Sequence, residues 1–250
     1  MDPREPQPEF NTAAGASFRT THWSLILNAA DSQSPDCAIA LNTLCRTYWY
    51  PLYSFVRRQG RPPHDAQDIT QEFFARLLKL NSLRAVARDK GRFRTFLLTS
   101  MKNFLCDVAD KANTAKRGGG LVPISLDQQD AEHRYNSELS ESLAPDKLFD
   151  HRWALTVLNN ALQQLKSEFT TPTHQAQFNT LKQFLSNEAK PGAYEEIAPT
   201  LSMTPRAVAM AVCRFRQPYF DLIRNEVAAT VVHPSNIDLE VDYLLQVIGQ

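Results

Sequence analysis

The stretch Asp65 to Phe74, DAQDITQEFF, decides the fold of this chain of 250 residues. Ile69, Phe73 and Leu77 recur every four residues, which is the spacing of one face of an α-helix. The two aspartates and the glutamate of this stretch stand at positions i, i+3 and i+7, which lie side by side on a helix. Their carboxylates therefore share the opposite face. An exposed polar face is the usual explanation of such a pattern, so the helix alone does not define a function.

A basic and aromatic stretch follows, beginning KGRFRTF at Lys90 to Phe96 and continuing as a helix with a long apolar face. Residues 40–117 contain fifteen Lys and Arg against six Asp and Glu. Cations interleaved with aromatic rings suit single-stranded nucleic acid, whose phosphates they neutralise and whose bases stack on the rings. For Phe93 a place in the core is favoured, whereas for Phe96 core and nucleic-acid roles are equally supported.

The charge of the chain is unevenly distributed. The totals balance at 27 basic and 27 acidic residues, but residues 118–150 contain only two basic residues against seven acidic ones. Gly118 to Gly120 open this segment, and three consecutive glycines end a helix. The pattern predicts a flexible acidic linker.

A second set of helices follows the predicted linker and ends in two that resemble a helix-turn-helix. Tyr194 to Leu201 predicts a short helix, Thr204 is a good N-cap, and Pro205 suits the first helical position. The next helix has a small-residue packing face, which leaves three arginines for solvent or phosphate. An ordinary helical hairpin is the alternative. Pro199 is expected to interrupt the first helix and Pro218 to kink or end the second.

The sequence therefore predicts an all-α protein of two helical domains joined by a flexible acidic linker, the second containing a helix-turn-helix. The predicted segments are a disordered tail (1–17), a first domain (18–117), the linker (118–150), a second domain (151–229) and a C-terminal extension (230–250). The apolar residues of the extension indicate only that it packs somewhere.

Enzymatic chemistry gains no support from the sequence. P-loop, G-x-G-x-x-G and H-E-x-x-H motifs are missing, and the six histidines are scattered. We therefore predict no catalytic residue, no cofactor and no metal site. The four cysteines are expected to be buried free thiols. With no signal peptide and no apolar run of roughly 18 residues, the expected location is the cytoplasm, with no membrane contact.

The three motifs in this order resemble the bacterial RNA polymerase sigma factors. DAQDITQEFF is similar to the D-A-x-D-[IL]-x-Q-x-x-F signature of their region two, and GRFRTFLLTSMKNFLCDVADK (91–111) to their promoter-melting segment. The late helix pair resembles region four, although Ser202 stands where the turn usually has Gly, and Ala209 and Ala211 stand where Lys and Arg are common. Two such domains without an intervening one resemble the extracytoplasmic-function group.

The resemblance implies three sets of binding residues and three partners. Core RNA polymerase would meet Asp65, Asp68, Gln71, Glu72 and Arg76. The opened promoter strand would meet Lys90, Arg92, Arg94, Phe96, Lys102 and Asn103. The minus-thirty-five duplex would meet Thr204, Arg206, Arg214 and Arg216. An anti-sigma factor is a further partner that members of the group can have.

The function that this resemblance implies is transcription initiation, with core polymerase binding, promoter recognition and DNA melting. Two alternatives stay open. One is a helix-turn-helix regulator that binds duplex DNA without polymerase. The other is a protein-interaction module that has lost DNA binding, for which Pro199, Ala209, Ala211 and Pro218 are the best support.

Overall fold

The computed structural model describes residues 37–79, 92–114, 128–137, 143–185, 189–228, 230–231 and 234–249. Its helices are α1 (Cys37–Arg58), α2 (Pro63–Lys79), α3 (Phe93–Thr114), α4 (Gln128–Ser137), α5 (Pro145–Glu168), α6 (Pro172–Leu181), α7 (Ala193–Ile197), α8 (Pro205–Ala228) and α9 (Ile237–Ile248). Short 3-10 helices span Lys182–Phe184 and Pro234–Asn236. These ranges contain no β-strand, so the predicted all-helical class is confirmed. The predicted tail, Lys90 and Gly118–Gly120 lie outside the described residues.

Helix α1 is surrounded by other helices along its second half. Every residue from Thr47 to Val56 is buried, as expected of a helix that is apolar on all sides. The ring of Tyr48 stands edge-on to that of Phe93, with centroids 5.3 Å apart, which joins α1 to the start of α3. Helix α1 also packs against α2, so it contacts both of the helices that the sequence singled out.

Helix α5 connects the two halves of the chain. Trp153, Val157, Ala161 and Leu165 are buried at four-residue spacing, and α5 packs against α1, α8 and α9. One hydrophobic cluster runs from Cys45 in α1 to the C-terminal helix α9. The helices assigned to separate domains thus share a core, while the domain boundaries themselves stay a prediction.

Part of the predicted linker is helical. Helix α4 docks on α1, where Arg57 donates to both carboxylate oxygens of Glu132 at 3.0 and 2.8 Å. The Tyr53 hydroxyl donates to the same carboxylate at 2.5 Å, and the Arg57 guanidinium lies 4.8 Å from the centre of the Tyr135 ring. Helix α5 begins at Pro145, still within the segment. The sequence suggested a linker because this stretch is acidic, polar and weakly patterned.

The C-terminal extension forms helix α9, which packs against α5 and α8. Leu244 and Glu240 are fully buried, whereas Leu239 and Leu245 are exposed on the outer side. The extension is therefore part of the folded core. No helix in the described ranges combines the length and the apolar character that crossing a membrane requires.

Helix α8 continues through Pro218 to Ala228, so of the two expected effects of Pro218, a kink or an end of the helix, the second is wrong. A proline inside a helix costs about 3 kcal/mol. Phe215, Tyr219 and Ile223 are buried on either side of it, and burial of each such side chain contributes roughly 1.5–3 kcal/mol. Packing therefore outweighs the lost backbone hydrogen bond.

Candidate functional site

The acidic side of α2 faces solvent. Asp65, Asp68 and Glu72 are exposed, and Gln71 is half-buried beside them. The imidazole Nδ1 of His64 lies 3.3 Å from a carboxylate oxygen of Asp68. The opposite side of the helix is buried against α1 and α3 through Ala66, Ile69, Thr70, Phe73, Phe74 and Leu77. A packed helix thus presents a row of carboxylates that a basic partner surface could bind.

Arg76, at the end of this row, contacts the neighbouring helix. Its Nη1 donates to Asp107 of α3 at 2.8 Å, and its guanidinium lies 5.6 Å from the centre of the Phe104 ring. Both side chains of the ion pair are nearly half exposed, and exposed pairs contribute about 0–1 kcal/mol. Arg76 can therefore exchange this partner for another at low cost.

Arg94, predicted to contact the opened strand, is only 6% exposed. Its Nη1 donates to Asp150 of α5 and its Nε to Glu240 of α9, each at 2.5 Å. Burial by itself lowers the pKa of Arg94, but the Glu240 hydrogen bond and the nearby carboxylates outweigh it and raise that pKa above its usual value. The side chain is a charged, paired and internal group in this structure, and its nucleic-acid role stays a prediction.

Arg92 is closer to the surface and also faces Glu240. Its Nε lies 2.9 Å from Glu240 Oε2, and its side chain is 40% exposed. Its guanidinium lies 5.7 Å from the centre of the Tyr243 ring. One buried carboxylate therefore faces two of the predicted nucleic-acid ligands.

Three further predicted ligands lie along α3. Phe96 is partly buried, with its ring stacked at 6.1 Å on that of Phe93. Phe93 is 1% exposed, which confirms its predicted place in the core. Lys102 is exposed and its Nζ donates to Asp146 at 2.6 Å. Asn103 is exposed. The structure places Phe96, Lys102 and Asn103 within two turns of one helix.

The turn between α7 and α8 closes as a Schellman motif. The Met203 N–H donates to the Ala198 carbonyl at 3.0 Å, and the Ser202 N–H to the Pro199 carbonyl at 3.1 Å. This pair of bonds requires a left-handed conformation of the residue that donates the inner bond. That residue is Ser202, whose φ is 52°. The turn therefore has the conformation for which Gly is preferred, although Ser occupies it.

The predicted second-helix contacts are arranged along α8. The Thr204 side chain accepts from the Ala207 N–H at 3.2 Å, as an N-cap does. Arg206 and Arg214 are exposed, whereas Arg216 is partly buried and its Nε donates to the Phe184 carbonyl at 2.8 Å. Of the three arginines, Arg206 and Arg214 are therefore the more accessible to a phosphate.

Sequence reasoning missed the carboxylates that meet the basic stretch. Glu240 lies in the predicted extension and Asp150 at the end of the predicted linker, and neither is among the predicted site residues. The one available signal was an acidic residue on the inner side of the apolar helix IDLEVDYLLQVI (237–248). Such a residue needs a partner when buried, but the sequence does not say which.

The described residues include three free cysteines and no cluster of metal ligands. These contain no group of three or more His, Cys, Asp or Glu side chains arranged to hold a metal ion. Cys45 is buried, and burial raises the pKa of its thiol to about 11. Cys106 and Cys213 are exposed free thiols, which corrects the expectation of burial, because both lie on the polar sides of their helices.

Comparison with protein families gives one match. Residues 44–114 match the model of sigma-70 region 2, which covers most of α1, all of α2 and α3, and the stretch between them. No curated protein and no solved structure matches the chain. The match supports a factor of the sigma-70 family. It also supports the role of region 2 in RNA polymerase binding and promoter melting. It ends at Thr114, so the helices from α4 onward lie outside it.

Proposed function

We propose that this chain is a non-enzymatic, cytoplasmic transcription initiation factor of the extracytoplasmic-function type. The observation that supports it best is the region 2 match over residues 44–114, whose acidic signature lies on the exposed side of α2. In this proposal Asp65, Asp68, Gln71, Glu72 and Arg76 bind core RNA polymerase.

The same domain would open the promoter. Phe96, Lys102 and Asn103 lie along one helix, so a displaced strand could bind with a base against the ring and phosphates near the cation. Lys90, Arg92 and Arg94 precede or begin that helix and would extend the same strand contact. Arg92 and Arg94 can contact the strand only after their ion pairs with Glu240 have broken.

Helices α7 and α8 would bind the upstream promoter duplex. Thr204 caps α8, and Arg206 and Arg214 are exposed along it, as expected of a helix that reads DNA through phosphates and base edges. Arg216 would join them after release from the Phe184 carbonyl. A minor role for this duplex contact is consistent with Ala209 and Ala211 at positions that could have carried cations.

Run-off transcription with purified core polymerase tests the proposed activity. Core enzyme alone initiates poorly at promoters, so adding the chain to fragmented genomic DNA should produce discrete transcript starts that share upstream sequence elements. A helix-turn-helix regulator without polymerase would instead bind duplex DNA by itself and add no starts. Transcript profiles that are identical with and without the chain would contradict the proposal.

A further inference from the structure

Helix α9 holds the arginines at the start of α3. Glu240 is fully buried, and its two oxygens lie 2.5 Å from Arg94 Nε and 2.9 Å from Arg92 Nε. The two arginines are neighbours on the helix that is proposed to open DNA, while the carboxylate comes from the far end of the chain. The contact is therefore long-range and charge-specific.

Aromatic and acidic groups complete the enclosure of Arg94. Its guanidinium lies 4.2 Å from the centre of the Tyr243 ring of α9 and 5.2 Å from that of Trp153 of α5. The Tyr243 hydroxyl donates to the Asp150 carboxylate at 2.6 Å, and the other oxygen of that carboxylate binds Arg94. Carboxylates thus occupy Nε and Nη1 of Arg94, two of the three nitrogens that would otherwise donate to phosphate.

The backbone adds a second link between the same segments. Arg92 and Val231 form an isolated antiparallel bridge, and the Phe93 N–H donates to the Thr230 carbonyl at 3.2 Å. The chain that leads into α9 is therefore fastened to the chain that leads into α3. Side-chain ion pairs and a backbone hydrogen bond thus hold α9 and the segment before it against the start of α3, and we call this arrangement the closed state.

We infer that α9, with Asp150 of α5, is an intramolecular clamp that keeps Arg92 and Arg94 from nucleic acid until the factor engages its promoter complex. The inference rests on the proposed function, because it regulates the same DNA-opening segment. Arg94 is only 6% exposed while it binds Glu240 and Asp150, so a phosphate can reach it only after α9 separates from α3. The acidic side of α2 is exposed in the closed state, so polymerase binding does not require that separation.

A reversible disulfide between the bridge residues tests the clamp. The register of the Phe93–Thr230 hydrogen bond makes Arg92 and Val231 a non-hydrogen-bonded pair, whose Cα atoms are typically about 4.5 Å apart. This separation is within the range that a disulfide needs. The variant is Arg92→Cys/Val231→Cys, with Cys37, Cys106 and Cys213 replaced by Ser. Its reduced form is its own control for the loss of Arg92.

Two measurements are made on the oxidised and the reduced variant. The first is binding to labelled oligothymidine of about 16 nucleotides, a length that single-strand sites cover. The second is strand opening in complex with core polymerase, followed by permanganate reactivity of promoter thymines. The clamp predicts that oxidation abolishes both and that dithiothreitol restores them. Equal activity of the two forms in both measurements would overturn it.

A release variant tests the clamp in the opposite direction. Glu240→Gln/Asp150→Asn removes both charges from Arg94, whereas Asp238→Asn is the matched control on the outer side of α9, where Asp238 pairs with Arg224. If the closed state holds about nine-tenths of the wild-type molecules, release should tighten oligothymidine binding about tenfold. Unchanged affinity in a release variant that keeps its helical circular dichroism would also overturn the clamp.

Core polymerase binding separates failure of the clamp from failure of the proposed function. If both forms of the disulfide variant bind core polymerase and open DNA equally, the clamp is wrong and the initiation role stands. If neither form binds core polymerase, the initiation role is wrong. The oligothymidine measurement on the free chain then still decides whether α9 blocks the arginines.

Discussion

Ser202 shows how one residue carries a conformational cost. Its φ of 52° lies in the left-handed region, which costs a non-glycine residue about 1–2 kcal/mol. Its N–H and that of Met203 both bond back to the preceding helical turn, so the conformation is fixed by the motif. The hydrogen bonds of the turn therefore hold Ser202 in a backbone conformation that is unfavourable for a serine.

We expect Ser202→Gly to stabilise the protein by up to about 1 kcal/mol, because glycine removes the left-handed penalty but loses more backbone entropy on folding. For a chain of this size that is an increase of roughly 2–4 °C in melting temperature, measurable by circular dichroism. Ser202→Ala keeps the Cβ atom and should give no increase. A lower melting temperature for the glycine variant would contradict the assignment of strain.

Phe93 and Phe96 stack on each other but differ in burial, so their truncation should have different effects. Phe93→Ala should lower the free energy of unfolding by about 3–5 kcal/mol, because the side chain is fully inside the core. Phe96→Ala should cost less stability and should instead impair strand opening, since a stacked base is worth about 1–3 kcal/mol.

Urea unfolding and permanganate reactivity measure these two effects, and polymerase binding is the control. Phe96→Leu keeps apolar volume but removes the ring, so it should retain stability and still open strands poorly. Normal strand opening by Phe96→Ala would assign the ring to the core alone.

At the scale of elements, the docking of α4 on α1 depends on an ionised carboxylate. Burial tends to raise the pKa of Glu132, but its hydrogen bonds with Arg57 and Tyr53 outweigh this effect and lower it below 4.5. A carboxyl whose pKa is lowered by folding stabilises the folded state above its unfolded pKa. That contribution is lost as the pH falls through the folded value.

Glu132→Gln should therefore be less stable than wild type at neutral pH, and the difference should shrink as the pH falls below about 4.5. Urea midpoints of the two proteins between neutral pH and pH 3 provide the measurement. A difference that stays constant over this range would show that the carboxylate charge does not hold α4 in place.

The helices themselves were predictable where their signal is local. The four-residue spacing of Ile69, Phe73 and Leu77 correctly predicts the buried side of α2, and therefore the exposure of Asp68 and Glu72. Periodicity states that a helix has an inner face but not which helix it meets. Arg94 and Glu240 are 146 positions apart, and no local pattern joins them.

At the scale of the whole molecule, the neutral net charge hides an internal pairing. Carboxylates of the acidic segment 118–150 contact cations of the basic stretch 40–117: Glu132 with Arg57, Asp146 with Lys102, and Asp150 with Arg94. The acidic segment 118–150, which the sequence suggested as a linker, thus neutralises part of the positive charge of the basic stretch 40–117. The acidic side of α2, by contrast, keeps three exposed carboxylates.

The exposed carboxylates of α2 make direct binding to core RNA polymerase the most decisive measurement. Fluorescence anisotropy would compare the wild type with Asp68→Arg/Glu72→Arg. The control, Glu168→Arg/Asp221→Arg, makes the same charge change at exposed positions of α5 and α8.

We expect tight binding by the wild type and the control, and a loss of about a hundredfold or more in the α2 variant. Like charges brought together cost several kcal/mol, and each 1.4 kcal/mol is tenfold in affinity. No binding by the wild type, or equal binding by all three proteins, would contradict this expectation.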